Sequence, residues 1–290
     1  MNALLRYVVF ISFMMLVIIL ISNLFPAAYD LISGVSKVAK ISVHTELSVD
    51  SSILSGVTSV DSIISEIKSA DVDNSIDAIL LDINSPGGGV VASYELAKAI
   101  QQVSKPIVSV IREVGASGAY WAAISSDYVI ANDLSIVGSV GVVANYLEFS
   151  GLMEKFGVSE VRAVSGEMKD FGSPYHNLTQ AQRVELDRLV NLTFQFFFND
   201  FKNLRTVNDS VLSQVVTGKT FLGIEAYSLG LIDALGGFDV ANNYLKNVLE
   251  SNNVEYVEDS KSFSLIDLLS SVKDSFNPLS FSGNGLSIKS

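Results

Sequence analysis

PIVSVIREVGASGAY, residues 106–120, is the stretch on which the fold turns. Pro106 to Ile111 is an apolar run that reads as a buried strand. Gly115-Ala116-Ser117-Gly118 follows, a turn of residues too small to crowd the serine, and Ala119 to Ser126 is compatible with a helix. Strand, small-residue turn and helix together expose a hydroxyl and aim backbone N–H groups at the space in front of it. Gly-x-Ser-Gly is not the Gly-x-Ser-x-Gly elbow of the α/β-hydrolases, so on its own it serves equally as a tight packing turn.

The same plan recurs one unit upstream. Ile76 to Ile83 (IDAILLDI) is nearly continuous in apolar residues, as a strand buried on both faces must be. Asn84-Ser85-Pro86-Gly87-Gly88-Gly89 and a helix from Val90 to Val103 follow. The loop lacks the Gly-Lys-Ser/Thr of a phosphate loop and the Gly-x-Gly-x-x-Gly of a dinucleotide site. An oxyanion developing in acyl transfer suits it better than a nucleotide phosphate.

Farther out, Val38–Val43 and Asp127–Ala131 read as strands, and Val60–Ile67 and Val240–Leu249 as helices. Ile136–Val143 is apolar and punctuated by glycine, Leu147–Phe156 is helix-like, and Glu160–Val164 alternates like a strand. Thr179 with Gln182 forms a capping box that opens a long helix to Asn203. Its Leu186, Leu189, Val190, Phe194, Phe197, Phe198 and Phe201 make one broad apolar face, read as core or subunit contact rather than a ligand pocket. Thr217-Gly218-Lys219-Thr220 reads as a turn. Strands alternating with helices imply a largely parallel α/β arrangement with right-handed crossovers.

Composition removes whole classes of chemistry. The 290 residues contain no cysteine, which excludes a thiol nucleophile, disulfides and cysteine-ligated metal. There are two histidines, His44 and His176. The net charge of −12 argues against a nucleic-acid partner, which needs a basic face. No cofactor or metal is implied. Tyr7 to Phe25 carries no charge and is longer than the apolar core of a cleavable signal peptide, although Pro26-Ala27-Ala28 offers small residues. It is expected to be a retained transmembrane anchor. Arg6 ahead of it suggests a cytoplasmic N-terminus and a catalytic domain on the extracytoplasmic, periplasmic side. The expected organisation is tail and anchor over 1–30, a catalytic domain over 31–250, and a polar tail over 251–290 with an amphipathic piece at 263–272.

Ser117 needs a base to become a nucleophile. His176 and Lys169 are the candidates. Lysine serves only where burial makes the neutral amine favourable, against a reference pKa of about 10.4. Lys169 sits between Met168 and Phe171, with Gly166 and Gly172 outside them. The residues alone leave the choice open.

From about Val38 to Leu249 the chain resembles the S49 serine peptidases, the signal peptide peptidase A family, in its short single-domain form. The resemblance rests on Asn84–Gly89, Gly115–Tyr120, Val137-Gly138-Ser139-Val140-Gly141, Lys169-Asp170-Phe171-Gly172-Ser173-Pro174, Thr217-Gly218-Lys219 and Leu229-Gly230-Leu231-Ile232-Asp233, in that order. It implies a crotonase/Clp-protease-like spiral fold and a Ser/Lys dyad. Ser117 would be the nucleophile, Lys169 the general base and Ser139 the residue that orients the lysine, with the N–H groups of Gly88 and Gly118 as oxyanion hole. It implies peptide substrates, signal-peptide remnants and other apolar segments, cleaved at the membrane by a homo-oligomeric ring. Two other functions share the fold: an acyl-CoA enzyme, which would need acid/base carboxylates such as Glu95 or Glu113 beside the oxyanion hole, and a non-catalytic membrane scaffold.

Overall fold

The computed structural model describes residues 3–24, 34–49 and 59–258, with side chains at 7–20 in the first of these. The chain divides into residues 1–257 and 258–290. Pro26–Ala28 and the amphipathic piece at 263–272 lie outside the described residues.

The first element, α1 (Ala3–Leu24), is a 22-residue helix. Its apolar side chains point outward all round, Tyr7, Phe10, Phe13, Met15 and Ile19 among them. A helix apolar on every side is suited to lipid or to burial, not to water. Among the described residues no helix is long and apolar enough to cross a membrane, so the crossing stays an expectation.

The sheet domain opens with β1 (Val35–His44), α2 (Val60–Val72), β2 (Ala78–Ser85) and α3 (Val90–Gln101). Next come β3 (Ile107–Ala116), α4 (Gly118–Ile124), β4 (Tyr128–Ala131) and β5 (Ile136–Gly138). After α5 (Ser150–Lys155) and the long α6 (Gln180–Leu204) the chain adds α7 (Asp209–Val215), β6 (Thr220–Leu222) and α8 (Gly223–Ser228). It closes with β7 (Ala234–Leu235), α9 (Phe238–Val248) and β8 (Asn253–Val257).

The sheet runs β6-β5-β3-β2-β1-β8, with β4 joined to β3 and β7 to β4. Every pairing is parallel except β5 with β6. Strand β2 shows why its sequence lacks alternation. Ile79, Leu81 and Ile83 face the large core under α2, α3, α4 and α6, while Ala78 and Leu80 face a second core under α9.

Strand β3 changes partner along its length. Val108–Ile111 pair with β4, and Val114–Ala116 pair with β5. That fork carries the chain past the edge of β4 and ends it at Ser117. Helix α4 lies under the fork, fully buried, because Ala119, Ala122 and Ala123 let it approach the sheet closely.

Three differences from the sequence reading have physical causes. Glu160–Val164 is not a strand: it has no ladder partner, and its apolar residues Val161 and Val164 are exposed. Strand β3 runs past Ile111 through Arg112-Glu113, because the charged pair sits where the sheet opens to solvent. The polar stretch after Ser251 contributes β8, a parallel edge strand on β1, and alternation over so few residues gave no signal.

Tyr120, fully buried on α4, donates its hydroxyl to the Leu231 carbonyl at 2.7 Å and ties α4 to the Leu-Gly-Leu-Ile-Asp turn. Burial raises its phenol pKa above the usual value of 10.0, and burial raises those of Tyr128 and Tyr244 too. The unfolded chain therefore loses these protons first, so stability is full below about pH 10 and falls as pH rises above it. Tyr120→Phe is expected to cost about 1–2 kcal/mol at neutral pH by leaving the Leu231 carbonyl unpaired, and to shallow the alkaline decline, both readable by urea unfolding followed across pH 7–11.

Candidate active site

Ser117 takes φ 54° and ψ −126°, a left-handed conformation that only glycine adopts without strain. Such a residue costs of order 1–3 kcal/mol and persists only when its surroundings over-determine it. They do so here. The Ser117 N–H donates to the Gly138 carbonyl at 2.8 Å, and its carbonyl accepts the Trp121 N–H at 3.0 Å. The hydroxyl is left free of any hydrogen bond to another described residue and stands at the start of α4.

The glycine loop is fixed against the elbow by a residue the sequence reading did not single out. Leu47 pairs with Gly88 as an isolated parallel bridge: its N–H donates to the Gly87 carbonyl, and its carbonyl accepts the Gly89 N–H, both at 2.8 Å. In a parallel bridge the bonds go to the residues flanking Gly88, so Gly88 turns its own N–H away from Leu47. A Cβ on Gly88 would lie 2.0 Å from the Leu47 carbonyl oxygen. Gly87, at φ 97°, packs so closely that a Cβ there would stand 2.8 Å from both the Ser117 Cβ and the Gly118 nitrogen. Among the described residues neither the Gly88 nor the Gly118 N–H donates a backbone hydrogen bond. Gly118 is the first residue of its helix, where such a donor has no internal partner.

Ser117, Ser139, Gly88 and Gly118 line one cleft of about 280 Å³. Its other walls are Val90, Ser93, Trp121, Val142, Val143 and Phe197, with Gly141 and Gly218. No carboxylate is among them. Ser139 also has a positive φ, 56°, and its N–H donates to the Lys219 carbonyl at 2.9 Å. Trp121 and Phe197 were missed as site residues: α4 carries the indole one turn from Ser117, and the phenylalanine stripe of α6 contributes one ring to the cleft as well as others to the core.

Lys169 does not reach this cleft within one chain. It is exposed, on the segment between α5 and α6. That segment is organised by Asp170, which pairs with Arg162, lies 3.0 Å from His176 Nε2 and accepts from Gln182 Nε2 at 3.0 Å. Gln182, 1% exposed, is the capping-box residue of α6 and also donates to the Glu167 carbonyl at 2.8 Å. His176 is thus engaged with Asp170 and, like Lys169, absent from the Ser117 cleft of its own chain. Glu95 and Glu113 are absent from it too. Glu113 lines a separate cavity of about 780 Å³ beside His44, Arg112 and Phe238, which contains none of Ser117, Ser139, Lys169, Gly88 and Gly118.

The geometry defines a class: an α/β protein that presents a serine hydroxyl and two unspent backbone N–H groups to an apolar cleft. The Clp protease family model matches residues 28–129, and the sheet is of that Clp-protease-like, mixed but mostly parallel kind. The model of peptidase family S49 matches residues 99–252, and the chain belongs to that family, as a peptidase of the signal peptide peptidase A type. A putative protease of Methanocaldococcus jannaschii is 30% identical over 88% of this chain and 84% of its own length. A putative signal peptide peptidase SppA of Enterococcus faecium is 30% identical over 69% of this chain and 60% of its own. Protease 4 of Haemophilus influenzae is 26% identical over 69% of this chain, which spans a third (33%) of that longer protein.

A Cβ on Gly118 would lie 1.9 Å from Ser93 Oγ and 2.6 Å from Ser93 Cβ. Gly118→Ala should therefore push the start of α4 off its N–H donor position and lower peptide hydrolysis by roughly 10²–10³-fold, the cost of one oxyanion donor. Ser93→Gly on the same background removes both clashing atoms and should recover much of the loss. A double variant no better than Gly118→Ala would show that the steric account is wrong.

Proposed function

We propose that this chain is a membrane-anchored serine endopeptidase acting on signal-peptide remnants and other apolar peptides through a Ser/Lys dyad. One observation carries the reading: the strained Ser117 hydroxyl faces a cleft beside the unpaired N–H groups of Gly88 and Gly118. Ser117 Oγ attacks the peptide carbonyl, and the carbonyl oxygen gains negative charge where those two N–H groups can hold it. The base takes the serine proton and returns it to the leaving amine, and water then releases the acyl group from Ser117.

The base is Lys169 of a second copy of the chain, oriented by Ser139. Support comes from the segment that bears it. Residues 143–168 expose Val143, Leu147, Leu152, Phe156, Val161, Val164 and Met168. An apolar surface of this extent marks an interaction face. A neighbouring copy packed on this face would cover the segment that bears Lys169. A ring of copies supplies each Ser117 with a neighbour's lysine. The apolar helix α1, extended by the uncharged residues up to Phe25, anchors the ring to the membrane with the peptidase domain on the extracytoplasmic side. The apolar cleft wall fits substrates drawn from membrane segments, and the lack of a carboxylate beside the oxyanion hole disfavours the acyl-CoA alternative.

Ser117→Ala and Lys169→Ala are each expected to lower hydrolysis of an apolar peptide by at least 10³-fold. Co-assembled after dissociation in mild detergent, the two inactive variants should regain a quarter or so of wild-type activity, because some sites then pair an intact serine with an intact lysine from different chains. Lys219→Ala, altering a lysine next to cleft-lining Gly218, should leave the rate within a few-fold. Full activity in Lys169→Ala would remove the dyad; inactivity of the mixture beside active re-assembled wild type would remove the shared site.

A further inference from the structure

The cleft beside Ser117 is lined in part by two aromatic rings, Trp121 and Phe197, tied to a residue outside it. Trp121, 3% exposed, stacks on Phe197 with ring centroids 4.6 Å apart and planes 9° from parallel. Stacking alone lets one ring slide over another, since offset arrangements differ little in energy. A polar tether removes that freedom. Trp121 Nε1 donates to Asp200 Oδ2 at 3.0 Å, and the same carboxylate takes Lys98 Nζ at 2.9 Å. Asp200 lies one turn beyond Phe197 on α6, so the stacking ring and the acceptor come from one rigid face. Lys98 comes from α3, the helix that the glycine loop opens. The tether therefore joins α3, α4 and α6, the three helices that wall the cleft.

We propose that Asp200 is a positioning residue for substrate selection. By fixing the Trp121 indole it sets the depth of the pocket that receives the side chain preceding the scissile bond. The pocket then admits compact apolar side chains, alanine to leucine in size, and turns away phenylalanine and larger rings. This rests on the peptidase reading above for the identity of the ligand. The indole N–H is buried and has no second acceptor among the described residues. Loss of the carboxylate leaves it unpaired, so the ring must move towards water or another acceptor, and the pocket opens. One methylene in such a pocket is worth roughly 10–200-fold in discrimination, so a displaced indole is readable as a change in selectivity.

The test compares kcat/KM of the full chain for blocked peptidyl aminomethylcoumarins carrying Ala, Leu or Phe before the scissile amide. Wild type is expected to favour Ala and Leu. Asp200→Leu and Trp121→Ala should each shift the Phe-to-Leu ratio towards Phe by about 10-fold or more. Asp200→Asn, which keeps an acceptor oxygen, should retain the wild-type ratio, and Asp200→Leu on a Trp121→Phe background should add nothing. Unchanged ratios in both single variants with hydrolysis intact, or an additive shift on the Trp121→Phe background, overturn the inference and leave the peptidase reading standing. Trp121 is the one tryptophan in the chain, so its emission reports binding without turnover. If wild type cleaves none of the substrates the peptidase reading falls, and binding of the matching peptide carboxamides to Ser117→Ala then decides. An emission change stronger for Leu than for Phe, reversed by adding Asp200→Leu, upholds the inference; no emission change ends it.

Discussion

The hydrogen bond from the Ser117 N–H to the Gly138 carbonyl holds a non-glycine residue in a left-handed conformation, and the surrounding structure is arranged to make that conformation the only one available. Behind Ser117, β3 leaves β4 for β5, which delivers Gly138 to the right place. In front, Gly87 comes so near that no side chain fits between the loop and the elbow. Below, an alanine-rich α4 is buried on every side. Strain of this kind is kept at a site because relaxing it would turn the hydroxyl and the first helical N–H away from a common point.

The glycine loop depends on a similar exclusion. Leu47 spends its own N–H and carbonyl on Gly87 and Gly89 and so leaves Gly88 with its N–H directed elsewhere. Two segments far apart in sequence, 47 and 87–89, are locked by backbone bonds, so side-chain identity at 47 matters through packing alone: Leu47 is 1% exposed. In the proposed mechanism these donors are then available without rearrangement when charge develops on the substrate.

The surroundings of Ser117 and those of Lys169 are built differently. Around Ser117 nearly everything is buried and clamped. Around Lys169 the backbone is irregular, many apolar side chains face solvent, and order comes from the Asp170 cluster and the buried amide of Gln182. A loop shaped by its own polar knot while presenting apolar groups outward is suited to meeting another surface. In the proposed mechanism this division gives rigidity to the step that needs exact donor placement and leaves the segment bearing Lys169 to be completed by contact with another copy.

Much of this was legible in the residues themselves. Nearly continuous apolar runs at 76–83 and 106–111 announced a parallel sheet covered on both faces, because such strands lack the alternation of a half-exposed one. Gly87, Gly88 and Gly118 announced close approach, and Thr179 with Gln182 announced the start of α6. The order of these motifs disclosed the family. What required the folded chain was every relation between residues distant in sequence. Leu47, Trp121, Phe197 and Asp200 carry no local pattern that separates a clamp, a cleft wall or a hydrogen-bonded tether from ordinary core and surface. Nor does Lys169, whose spacing to Ser117 fits the family while its place in a single chain lies outside the cleft. Local sequence fixes which conformations each segment can adopt, but the meeting of segments is set by the packing of the whole sheet and its helices, and that is where the site was assembled.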